Sequence, residues 1–182
     1  DWEKSRNAVT QLGRIDLLVN NAAVGCDDKI LSTSMENISK LMDANLKSVI
    51  NISQVVAGDM IKEGRPGSIV NVSSLASLRS FVTLATYSMS KAALDSATKS
   101  MALEFGEKNI RVNSVHPTVI PTAMSEKGFS NPVEVEKLIA GTPLGRVGKV
   151  PEVVYPVLFL LSDYASMITG VMLPVDGGYT IC

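Results

Sequence analysis

Short apolar runs and longer helical stretches alternate along the whole chain, and that alternation constrains its fold more than any other feature. Residues 15–19, 68–72, 110–115 and 171–175 are short, mostly apolar runs, as strands covered on both faces require. Between them, residues 34–63, 86–107 and 152–161 carry apolar positions at helical spacing, the last despite Pro156. Residues 2–12 read as the end of a helix stopped by Gly13, and a short helix is expected at 133–139 within the irregular stretch 118–150. Ser34 is placed to cap the helix 34–63, although Asn37 stands where a full capping box needs Glu or Gln. This order predicts an α/β fold, a parallel sheet with helices on both faces. With 182 residues and no repeat, low-complexity segment or linker, a single domain over residues 1–182 is expected.

Charge narrows the function classes. Lys and Arg number 17 against 18 Asp and Glu, for a net charge of −1, with no block of one sign. A nucleic-acid groove or an anionic membrane surface calls for a cationic excess, so neither partner is expected. The apolar run 157–161 falls far short of the ~20 residues that span a bilayer, so no transmembrane segment is expected. Cys26 and Cys182 make neither a disulfide framework nor a metal-ligand pattern, and His116 is the only histidine. No metal site is expected, and a reduced, cytoplasmic setting is.

Three places break the apolar pattern. Tyr87 and Lys91 stand one turn apart on the stripe 87, 91, 94, 98, 101, 105, which is otherwise apolar toward its end. A snorkelling Lys beside a half-buried Tyr is the bland reading. The chemical one is that an ammonium near a phenol lowers a pKa that begins near ~10, making Tyr87 an acid–base group. Asn45 is the single polar member of the stripe Ile38, Met42, Asn45, Val49, Ile52, Val56; either it ties down a neighbouring backbone or it organises water at a site. Finally, Asn20-Asn21, Ser73-Ser74 and His116-Pro117 each follow a strand, and ligands of open parallel sheets bind beyond the carboxyl ends of the strands.

Together these segments resemble the short-chain dehydrogenase/reductase family over the whole chain. Asn20-Asn21-Ala22-Ala23 is similar to its Asn-Asn-Ala-Gly segment, Asn45 to its helix asparagine, and Tyr87-Ser88-Met89-Ser90-Lys91 to its Tyr-x-x-x-Lys. Ser74 precedes Tyr87 by the family's usual interval, and Asn71-Val72-Ser73-Ser74, Pro117-Thr118-Val119 and the stretch 158–163 resemble its tetrameric carbonyl-reducing members.

The resemblance implies a Rossmann-like, doubly wound three-layer fold, an NADP(H) cofactor, a small carbonyl substrate and a homotetramer. It implies that Tyr87 donates a proton to the carbonyl oxygen, that Ser74 orients that carbonyl, and that Lys91 lowers the Tyr87 pKa and holds the nicotinamide ribose. Asn45 is implied to hold a water linking Lys91 to solvent, Asn21 and Ala22 to line the ribose region, and Pro117, Ile120 and Thr122 to hold the carboxamide. Leu84, where a sugar-reducing member is expected to offer a polar His, tilts the substrate from L-xylulose toward less polar ketones, aldehydes or dicarbonyls. Between subunits, Val55, Val56, Ala57, Ala92, Ala93 and Ala97 are expected on solvent-side helix surfaces.

Nothing in the chain corresponds to the family's opening strand, Gly-rich turn and helix. The resemblance therefore implies that this is the C-terminal portion of the domain, with residues 15–19 an unprotected edge strand, and that these 182 residues alone would neither reduce carbonyls nor bind NADPH tightly. Two other readings compete: a catalytically silent interaction protein, against which the intact Ser74, Tyr87, Lys91 and Asn45 argue, and another enzyme class, such as a dehydratase, on the same scaffold.

Overall fold

The computed structural model describes residues 1–125 and 131–181, so Cys182 lies outside the described residues. In chain order, α1 (Trp2–Thr10), β1 (Leu17–Asn20), α2 (Met35–Met42), α3 (Ser48–Lys62), β2 (Gly67–Val72), α4 (Ala85–Gly106), β3 (Ile110–Pro117), α5 (Pro132–Ala140), α6 (Val150–Leu161) and β4 (Met172–Val175) alternate much as the periodicity predicts. The strands form one parallel sheet in the order β1-β2-β3-β4, with Val19 opposite Val70, Ile69 opposite Val112 and Val115 opposite Leu173.

Adjacent strand residues point to opposite faces, which divides the core in two. Ile69 and Val112 meet Val56, Ala57 and Met60 of α3 and Met101 and Ala102 of α4 on one side. Val70 and Val115 meet Val157 and Leu160 of α6 on the other. Each such side chain removed from water contributes about 1.5–3 kcal/mol, so both helical layers are held by the sheet rather than by their own propensity. Val56 and Ala57 are only 2% and 1% exposed, which corrects the expectation that they face solvent. The helical stripe facing the sheet passes through both. Ala92 is exposed and Val55, Ala93 and Ala97 are half-buried.

Local chemistry sets the ends of the helices. Ser34 Oγ accepts from Asn37 N–H at 3.1 Å, and Asn131 Oδ1 from Val133 N–H at 3.1 Å ahead of Pro132. Glu152 Oε2 accepts from Lys149 N–H at 2.8 Å and starts α6, which runs through Pro156. Gly67 opens β2 under Met60, where a Cβ would lie 2.5 Å from the Met60 sulfur. The helix expected over 34–63 is interrupted by a π-turn at Asp43–Lys47, centred on Asn45. Strand β3 runs two residues further than expected and takes in His116 and Pro117.

Candidate active site

The parallel sheet brings the ends of β1, β2 and β3 to one edge, and α4 returns across that edge with its first turns. Ser74 follows β2 in extended conformation; its Oγ accepts from Ala76 N–H at 3.1 Å, which orients the oxygen. Tyr87 stands in the first turn of α4, half-buried, with its phenol beside the Ser74 hydroxyl. Lys91 is 2% exposed; its Nζ donates to the Val72 carbonyl at 2.9 Å and lies 5.7 Å from the centroid of the Tyr87 ring. Two of its N–H bonds have no partner among the described residues.

Electrostatics in this site differ in one respect from the expectation. Burial raises the Tyr87 pKa above its usual value, and the Ser74 hydroxyl pulls it only part of the way back. The Lys91 ammonium, turned toward the Val72 carbonyl, does not bring the phenol down. Burial draws Lys91 itself down to about 8, with the Asp95 carboxylate opposing the shift. The site therefore holds a protonated phenol at neutral pH, a donor rather than a base.

Asn45 is fully buried, and its side chain is engaged with backbone. Oδ1 accepts from Val24 N–H at 2.9 Å, while Nδ2 donates to Val24 O at 2.9 Å and to Ser90 Oγ at 3.0 Å. It thereby ties the loop after β1 to the second turn of α4. Asn21 and Ala22 lie exposed at the start of that loop. Asn20 turns inward instead: its Nδ2 reaches Asn71 Oδ1 at 2.9 Å and Ser53 Oγ at 3.1 Å, a structural amide pair between β1 and β2.

Pro117, the last residue of β3, and Ile120 beyond it are half-buried and Thr122 is exposed, its N–H donating to Ser125 Oγ at 3.0 Å. Thr118 and Ile120 line an open cleft of about 470 Å³ with Leu144, Arg146, Pro174 and Asp176. Thr118 Oγ1 is a buried hydroxyl without a partner among the described residues, and a polar ligand group in the cleft would satisfy it. Leu84 is the residue ahead of α4, half-buried beside Tyr87's turn.

Two groups were not singled out by the sequence. Asp28, 7% exposed, accepts from Thr86 N–H at 3.1 Å and from the Thr86 hydroxyl, so a residue from the loop after β1 caps α4. Burial pushes its carboxyl up, but hydrogen bonds from Thr33, Thr86 and Cys26 outweigh that and hold it below the usual range. An Asp followed by a Lys in a loop carries no local sign of a cap 58 residues away. Asp95 is the second; with His116, a strand-end residue the sequence did mark, it lies buried beneath Ser74. Among the described residues no cluster of three or more His, Cys, Asp or Glu could hold a metal, and no helix is long and apolar enough to cross a membrane.

Comparison with known proteins follows the same architecture. Residues 3–180 match the family described as enoyl-(acyl carrier protein) reductase. The chain is 44% identical over 182 residues to an L-xylulose reductase of Homo sapiens, covering 100% of this chain and 75% of that protein. It is 44% identical to a D-erythrulose reductase of Gallus gallus, covering 100% and 74%. Among solved structures, a gluconate 5-dehydrogenase from Burkholderia cenocepacia in complex with NADP and tartrate superposes with a TM-score of 0.97 at 31% identity, covering 100% of this chain and 72% of that one. A 4-hydroxyisoleucine dehydrogenase complexed with NADH gives 0.95 at 35%, covering 100% and 76%.

Proposed function

The chain belongs to the short-chain dehydrogenase/reductase family, and on that premise we propose that it reduces a small carbonyl compound with NADPH, Tyr87 supplying the proton. The observation that carries this reading is the convergence of Ser74, Tyr87 and Lys91 at the carboxyl ends of the strands. L-xylulose, dicarbonyls, ketones and aldehydes are the candidate substrates, and Leu84 beside the site favours the less polar of them. The similar L-xylulose and D-erythrulose reductases support a reductase of small carbonyls, and an NADP-bound structural neighbour supports the cofactor.

The residues present suit a nicotinamide cofactor: the two free N–H bonds of Lys91 match ribose hydroxyls, and the unpartnered Thr118 hydroxyl marks an unfilled polar position beside Pro117. Lys91 and Tyr87, with Asn21, Ala22, Pro117, Ile120 and Thr122, would hold it. When bound, the cofactor supplies the hydride. Ser74, whose hydroxyl faces the Tyr87 phenol, turns its proton to the substrate oxygen and fixes its position. Tyr87, kept protonated by burial, gives its proton to the same oxygen. Asn45, its side chain fully engaged, is left with its main-chain carbonyl at the π-turn as the group to hold a water leading to Lys91.

A panel of dicarbonyls, aldehydes and pentuloses assayed for NADPH oxidation by the intact protein tests the reading. Tyr87→Phe should cut kcat about 10²–10⁴-fold, the usual worth of a positioned general acid, with NADPH affinity nearly intact. A Phe variant that keeps most of its turnover would overturn the assignment.

A further inference from the structure

Beneath Ser74 and Lys91 lies a cluster of polar groups to which the proposed reaction gives no role. His116 of β3 is fully buried and Asp95 of α4 is 6% exposed. His116 Nδ1 lies 3.1 Å from the Ser74 carbonyl and 3.1 Å from Ser77 Oγ, and Nε2 lies 2.9 Å from Ser114 Oγ. A carbonyl only accepts, so Nδ1 carries the proton and Nε2 accepts from Ser114. Burial lowers the His116 pKa, and the Asp95 carboxylate and Ser74 carbonyl do not restore it. The ring is neutral at neutral pH. Its 3.4 Å separation from Asp95 Oδ1 is therefore no ion pair.

Asp95 Oδ1 accepts from Ser73 Oγ at 2.6 Å, and Ser73 also touches the Lys91 carbonyl at 3.4 Å. Lys91 stands one turn before Asp95 on the same buried face of α4 and has no carboxylate within 4.0 Å among the described residues. The groups facing Lys91 are Tyr87 and Asp95 on α4, His116 on β3, and the uncharged Val72 carbonyl and Ser73 at the end of β2. With Tyr87 protonated and His116 neutral, one buried negative charge and one buried positive charge remain.

We propose that Asp95 is a positioning residue for this site, the buried counter-charge that keeps Lys91 an ammonium, while the neutral His116 leaves that charge to Lys91. The proposal rests on the reading of Lys91 given under Proposed function. In an apolar interior a lone ammonium sheds its proton, and a carboxylate one turn away opposes that without consuming the N–H bonds meant for a ligand.

The test is the titration of the Lys91 Nζ resonance in intact protein labelled with nitrogen-15 lysine, the signal being assigned by its loss in Lys91→Arg. In the native protein the midpoint is expected near 8. Asp95→Asn keeps the size and the acceptor for Ser73 but removes the charge, and should lower the midpoint by about one unit or more. An unchanged midpoint overturns the proposal. Ser73→Ala breaks a hydrogen bond and leaves the charge, so it should leave the midpoint in place; an equal shift would reduce Asp95 to a structural group. Should Asp95→Asn fail to fold, the native Asp95 carboxyl-carbon resonance must itself show an inflection at the Lys91 midpoint, and its absence overturns the proposal. None of these readouts needs turnover. A protein that titrates as expected yet reduces no carbonyl would sink the proposed function and leave this inference standing.

Discussion

Replacing Asn45 by Ala removes the three hydrogen bonds that hold the loop after β1 against α4, two to the Val24 backbone and one to Ser90 Oγ. At about 1 kcal/mol each the loss is about 3 kcal/mol, and the Val24 N–H and carbonyl are left without their partner. For a protein of this size that is a fall in Tm of about 6–12 °C. Urea unfolding of the intact protein followed by circular dichroism should show a lower midpoint and an unchanged m-value, because the area exposed on unfolding stays the same. Asn45→Asp should be no milder: it keeps one acceptor, loses both donors, and buries a charge facing the Val24 carbonyl. A loss below about 1 kcal/mol for Asn45→Ala would refute the reasoning and return Asn45 to a role carried by water alone.

The buried Lys91 sets a pH dependence. Between its folded value of about 8 and the ordinary 10.5, the unfolded chain holds a proton that the folded protein has released. Unfolding free energy should therefore rise from about pH 8 to 10, by up to about 1.4 kcal/mol per unit, and Lys91→Met should flatten that rise; an equal slope in both proteins counts against the burial. Asp28→Ala should cost about 1 kcal/mol through loss of the α4 cap, with Asp28→Asn recovering most of it in the same urea assay; equal losses in the two would rule out the cap. Light scattering on the intact protein should report four subunits, packed through exposed apolar helix surfaces such as Tyr155, Leu158 and Phe159 of α6, and a monomer at micromolar concentration would refute it.

Where residues lie close in the chain, the sequence was a reliable guide. The alternation of runs at 15–19, 68–72, 110–115 and 171–175 with helical stretches is the parallel sheet observed, since strand and helix periods are properties of consecutive residues. Tyr87 and Lys91 share one face of α4 because four residues make about one turn, and Ser74 sits at a strand end because β2 is followed at once by polar residues. Both placements were legible before any fold was in hand.

What tertiary structure decided are contacts between residues far apart in the chain. Asn45 meets Val24 across 21 residues, Asp28 meets Thr86 across 58, and His116 meets Ser74 across 42. No periodicity encodes such pairs. The helical wheel could not tell that Val56 and Ala57 face the sheet, because a small apolar side chain suits a core and a subunit surface equally. The Tyr87 shift followed the same rule: spacing placed Lys91 one turn from the phenol, but its ammonium turns to the Val72 carbonyl and burial raises the phenol pKa, and that burial exists only once α4 is packed against β3 and the turn after β2.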